Sequence, residues 1–161
     1  FFSATKRQHR HKHLDWVNCM SSLGFKQCTV TDCLLISNAQ SACSNELIQK
    51  EKVTLCFNVS KQQPFPSMRV STLRVPVFDD PQEDLYKYFD RCADAIASEA
   101  ERGGTVVYCK NGRSRSATVC VAYLLKHQGL TLTDAFQPHH SRFLCQNLML
   151  FTTSVVPISR L

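Results

Sequence analysis

Apolar positions along this chain follow two rhythms. Residues 52–60 (KVTLCFNVS) and 105–108 (TVVY) are dense β-branched runs with almost no polar alternation, the pattern of strands buried on both faces. Residues 28–38 (CTVTDCLLISN) read as two short strands around Asp32, and residues 70–77 as another, with Pro76 putting its end near a sheet edge or break. The other rhythm is helical. Between residues 83 and 102, Leu85, Phe89, Cys92, Ile96 and Ala100 recur at helix spacing, and Gly103-Gly104 provide a stop. Residues 39–50 predict a helix anchored by Leu47 and Ile48, with Asn45 capping its second half. Residues 61–67, with Pro64 and Pro66, predict a loop. A helix running from 117 to about His127 is apolar nearly all round and is expected to be buried; Gly129 ends it, and 131–134 (TLTD) looks like the capped start of another short helix. Strands alternating with helices predict an α/β fold, with a mostly parallel sheet of about five strands flanked by helices. Ligands of such folds sit at the carboxyl ends of the strands.

Composition narrows the picture. A chain of 161 residues with 43% hydrophobic positions suits one domain with one core. No run approaches the ~20 apolar residues of a membrane-crossing helix. Nine cysteines, an odd number with no C-x-x-C pair, suggest reduced thiols in a cytoplasmic protein, or one also found in the nucleus, rather than a disulfide frame. Of the formal charge of +6, four charges lie on Lys6, Arg7, Arg10 and Lys12, which leaves +2 for the rest. No nucleic-acid partner is therefore expected. Residues 1–27 differ in character from the rest of the chain: His9, His11 and His13 alternate with basic residues, and we read the segment as a disordered or non-native leader rather than a metal site.

The candidate chemistry lies in residues 105–116 (TVVYCKNGRSRS). A strand delivers Cys109 into a small polar loop that opens a helix. Unpaired N–H groups and a partial positive charge at a helix N-terminus, with a loop curled over it, form a cradle for an anion such as phosphate. Lys110, Asn111, Gly112, Arg113, Ser114 and Arg115 supply its backbone donors, and Gly112 supplies conformational freedom. Arg115 follows Cys109 by six positions, so its planar fork can turn inward and grip two oxygens of one phosphoryl group. Such surroundings favour the thiolate form of a cysteine nucleophile. The Ser116 hydroxyl is placed to donate to the thiolate when it departs.

This C-x5-R-S stretch, with strand before and helix after, resembles the signature of cysteine-dependent protein phosphatases, and its wider context resembles their atypical dual-specificity branch. The resemblance runs from about Cys28 to Gln137, so 28–137 is expected to be the catalytic domain. From Pro138 onward the family's closing helices have no match, and 138–161 is expected to be a divergent tail that leaves the fold's helical end incomplete and less stable. The family's general acid lies on the loop after a V-P-V strand. The resemblance therefore assigns Asp79 as acid, with Asp80 in reserve and Asp84 as a helix cap. It implies hydrolysis of phosphotyrosine and phosphoserine/threonine esters of protein substrates through a phosphocysteine intermediate, with no metal or cofactor. The family usually has His directly before the nucleophile; here it is Tyr108, and Asn111 is bulkier than the small residue usual there. These departures keep two alternatives open. One is a phosphate-site binding module with little turnover. The other is a phosphatase for a polyanion such as a phosphoinositide, suggested by Lys110 and Arg113.

Overall fold

A computed structural model describes residues 27–80, 82–135 and 137. The expectations for the leader before Gln27, and for the tail beyond Gln137 with its cost in stability, lie outside these residues; Gln27 itself, counted with the leader, is the first residue of a strand. In chain order the elements are β1 (Gln27–Thr31), β2 (Leu34–Asn38), α1 (Ala39–Ala42), α2 (Asn45–Lys50), β3 (Val53–Asn58), β4 (Ser71–Arg74), a 3-10 turn (Tyr86–Tyr88), α3 (Phe89–Glu99), β5 (Gly104–Cys109), α4 (Arg115–His127) and α5 (Leu132–Ala135). The strands form one five-stranded sheet in the order β1-β2-β5-β3-β4. Only the β1–β2 pair is antiparallel; β5 runs parallel to β2 and to β3, and β4 parallel to β3. The expected α/β class and mostly parallel sheet are thus what the chain adopts.

The dense apolar runs follow from this order. β5 is flanked on both sides by strands and covered on both faces, so every residue from Thr105 to Cys109 is buried. Alternation along a strand sends neighbours to opposite faces. Val107 packs with Ile96, Val119 and Tyr123 on the α3–α4 face, while Val106 and Tyr108 pack with Ala42, Leu47 and Ile48 on the α1–α2 face. Each large side chain so buried is worth ~1.5–3 kcal/mol. Helix α4 lies inside this layer, with every residue from Arg115 to Leu124 buried. It ends where Gly129 adopts φ 64°, a left-handed conformation that suits glycine.

Four expectations are corrected at element boundaries. The predicted helix over 39–50 is two helices, because Ser44 is extended (φ −77°, ψ 121°). Asn45 is the first helical residue rather than a cap; the cap in this region is Asn38, whose side chain accepts from the Ser41 N–H at 2.7 Å. The strand expected over 70–77 pairs only over Ser71–Arg74. Pro76 has no N–H to give a ladder, and the Val77 N–H instead closes a tight turn on the Val75 carbonyl at 2.9 Å. The helix expected from 83 begins only at Phe89, after the 3-10 turn, and ends at Glu99, so Gly104 belongs to β5 rather than to a helix stop.

Candidate active site

The site is assembled at the carboxyl end of β5. Cys109 is the last residue of the strand and only 2% exposed. Neighbouring elements fix the chain there: the Val59 N–H donates to the Tyr108 carbonyl at 2.8 Å, and the Ala39 N–H to the Lys110 carbonyl at 3.3 Å. Beyond Cys109 the side chains of Lys110, Asn111 and Arg113 are exposed. Gly112 is buried with φ 70°, the conformation that lets the loop fold back. Ser114 leads into α4, and its carbonyl accepts from the N–H and the hydroxyl of Thr118 at 3.0 and 2.9 Å.

Cys109 Sγ lies 3.3 Å from Ser116 Oγ, and both residues are shielded from solvent. Arg115 is 8% exposed and donates from Nη1 to the Val77 carbonyl at 3.1 Å. Among the described residues its Nε–H has no hydrogen-bond partner, and neither has Ser114 Oγ. Buried polar groups are nearly always matched, so orphans at a helix start mark a place prepared for a polar ligand. Asp79 Oδ1 lies 4.0 Å from Arg115 Nε, an ion-pair distance too long for a hydrogen bond, and the carboxylate is half exposed. The other two aspartates of this loop are occupied locally. Asp80 Oδ1 accepts from the Gln82 N–H at 2.8 Å, and Asp84 Oδ1 accepts from the Lys87 N–H at 3.4 Å at the start of the 3-10 turn. The structure therefore brings Cys109, Arg115, Ser116 and Asp79 together, and leaves Asp80 and Asp84 holding backbone amides.

Tyr108, at the position before the cysteine, is fully buried and donates its hydroxyl to the Pro64 carbonyl at 2.8 Å. Burial pushes its pKa up, so it remains a neutral donor. Pro64 belongs to a loop that Asn58, Ser60 and Arg74 also bind: Asn58 Nδ2 donates to the Gln63 carbonyl at 2.8 Å, Ser60 Oγ accepts from the Gln63 N–H at 3.1 Å and donates to Asn58 Oδ1 at 2.6 Å, and Arg74 Nη2 donates to the Gln63 carbonyl at 2.9 Å. Asn58 and Ser60 bind within five positions of themselves, whereas Arg74 reaches back 11 positions to Gln63 and Tyr108 reaches back 44 to Pro64, pairings that no local motif announces. Among the other thiols, burial pushes Cys56 and Cys92 up to about 12 and raises Cys120 as well, which keeps these three in the neutral form near pH 7.

A family model described as the dual specificity phosphatase catalytic domain matches residues 34–144, a span that includes the whole arrangement above and runs past Gln137. The chain belongs to the dual specificity phosphatase family. Among curated relatives, dual specificity phosphatase 28 of Mus musculus is 52% identical over 110 residues, 67% of this chain and 68% of that protein. Its Homo sapiens counterpart is 50% identical over 110 residues, 67% of this chain and 62% of that protein. The matched stretch is thus roughly two thirds of each relative's length. A crystal structure of a mouse putative dual specificity phosphatase complexed with zinc tungstate superposes with a TM-score of 0.66 at 40% identity, covering 78% of this chain and 88% of that one.

Proposed function

We propose that this chain hydrolyses phosphate esters of protein side chains, phosphotyrosine and phosphoserine/threonine, through a phosphocysteine intermediate. One observation carries the reading: a buried cysteine at the end of the central strand, 3.3 Å from Ser116 Oγ, and, next to that serine in the chain, a buried arginine whose Nε–H has no hydrogen-bond partner among the described residues. In this reading Cys109 attacks phosphorus in line and the P–O bond to the leaving alcohol breaks. Asp79, 4.0 Å from Arg115 Nε, gives that oxygen its proton. Asp79 then takes a proton from water, which attacks the phosphocysteine. Inorganic phosphate leaves, and Ser116 donates a hydrogen bond to the departing Cys109 thiolate. The backbone N–H groups of residues 110–115 and the Arg115 guanidinium hold the equatorial oxygens throughout. A relative complexed with tungstate, an oxyanion of phosphate shape, supports an oxyanion site here.

The side chains of Lys110 and Arg113 are exposed, so in this reading they raise the potential at the mouth of the site rather than grip the reacting phosphoryl group. We infer residence in a reducing compartment, cytoplasmic or nuclear, from Cys33, Cys43, Cys56, Cys92, Cys109 and Cys120, none of which is in a disulfide. Residues 28–137 are the proposed catalytic unit. The deciding experiment pairs aryl phosphate hydrolysis with tungstate binding by calorimetry. Wild type is expected to do both, and Cys109→Ser to bind without turnover. Hydrolysis that survives Cys109→Ser rejects the mechanism. Tungstate binding without turnover in the wild type selects the binding module instead.

A further inference from the structure

Asp79 is half exposed and, among the described residues, its carboxylate makes no contact shorter than the 4.0 Å pair with Arg115, so its position depends on how the loop is held on either side. Behind it, the Val77 carbonyl accepts from Arg115 Nη1. Directly before it, the Phe78 N–H donates to Glu83 Oε1 at 3.1 Å. The same Glu83 oxygen lies 3.6 Å from Lys61 Nζ, and that ammonium sits 4.0 Å from the centroid of the Phe78 ring. Phe78 is thus held by its backbone and by its ring face, although the residue is 45% exposed. Glu83 is tied back to the same turn, since its N–H donates to the Asp80 carbonyl at 3.0 Å. Lys61 brings in the loop after β3, which Arg74 fastens through the Lys61 and Ser60 carbonyls at 3.1 and 2.8 Å. The loop after β3 and the loop after β4 are therefore joined by one carboxylate, one ammonium and one ring, a single residue away from Asp79.

We propose that Glu83, with Lys61 as its counter-ion, is a positioning residue that fixes the reach of Asp79 toward the leaving-group oxygen. This rests on the acid role proposed above for Asp79. Without the clasp, the Phe78 amide loses its acceptor and the loop swings about the Val77 anchor, so Asp79 samples positions out of reach of the oxygen it must protonate. A misplaced acid costs most where the leaving group needs the proton most.

The test uses Glu83→Ala, Glu83→Gln and Asp79→Asn in the full chain. It has two readouts: amide hydrogen exchange at Phe78, and turnover of two aryl phosphates with a poor and a good leaving group. Glu83→Ala is expected to speed exchange at Phe78 about tenfold, with the Val75 amide, bonded to the Asn58 carbonyl, unchanged. It should lower kcat about tenfold on the poor leaving group and less than twofold on the good one. Glu83→Gln keeps an oxygen acceptor for Phe78 and should restore most of both. Unchanged exchange at Phe78 in Glu83→Ala overturns the clasp whatever the turnover. Faster exchange with equal losses on both esters, while Asp79→Asn discriminates between them, overturns the positioning role alone. If Asp79→Asn itself does not discriminate, the acid assignment fails first, and the positioning role falls with it.

Discussion

Removing one oxygen from the residue before the nucleophile separates a structural from a chemical role for it. In Tyr108→Phe the ring stays in the α1–α2 face of the core and only the hydroxyl is lost. That hydroxyl makes a 2.8 Å bond to the Pro64 carbonyl, which Asn58 Nδ2 also approaches at 3.4 Å and Cys43 Sγ at 3.6 Å. The carbonyl is therefore not stripped of donors, and the loss should be that of one ordinary internal hydrogen bond, about 1 kcal/mol. For a chain of this length such a loss lowers the melting midpoint by about 2–4 °C. Because the hydroxyl reaches Pro64 rather than Cys109, kcat on an aryl phosphate should stay within about twofold of wild type. Calorimetric melting and initial rates on the same preparation measure both. An unchanged midpoint with a more than tenfold drop in kcat would refute the reasoning, since it would place the Tyr108 hydroxyl in the chemistry rather than in the fastening of a loop.

Asp79→Ala should reduce turnover of a poor-leaving-group ester by about 10²–10⁴-fold and that of an activated ester far less, read as the slope of log kcat against leaving-group pKa; an equal loss on both would move the acid elsewhere. At the other end of the sheet, hydrogen bonds from Lys126 and His127 hold the Asp94 carboxyl below its ordinary range. A carboxylate whose folded pKa is depressed stabilises above its unfolded value, about 3.9, and that contribution is lost as pH falls through the folded value. Asp94→Asn should therefore melt lower than wild type near pH 7, with a deficit that shrinks as pH is lowered from about 5 toward about 3 and as salt is added; a deficit unchanged near pH 3 would exclude an ionic origin.

What was legible in the sequence is what neighbours along the chain determine. The run from Thr105 to Ser116 carries its own instructions: β-branched residues for a strand, glycine for the reversal, and an apolar stretch for a buried helix. Cys109, Arg115 and Ser116 fall together because that segment folds as a unit. Where expectation and structure part, the deciding contact comes from elsewhere. The break at Ser44 between α1 and α2 is invisible to helical periodicity, which Leu47 and Ile48 satisfy either way. Ahead of α3, Glu83 is tied to Lys61, a pairing across 22 positions that no local pattern encodes. Tyr108 departs visibly from the family pattern, but its partner Pro64 lies 44 positions away. A cluster such as Asn58, Ser60 and Arg74 becomes readable only once β3 and β4 are known to lie side by side.

The strand order also sets a timetable for assembly. β2 and β3 are 14 residues apart between Asn38 and Val53, but the sheet never pairs them with each other; β5, which begins at Gly104, must enter between them. A nascent chain that has released everything up to α3 therefore has two half-sheets, each with a long apolar strand open along one edge. Closing the gap requires contacts between segments tens of residues apart, the kind of pairing that folds slowly. Until it closes, those edges are templates for pairing with other chains. The segment that bears the nucleophile is thus the keystone of the sheet and the last of the described strands to arrive, and a chain that acquires this site has, by the same event, lost its open edges at the sheet's centre.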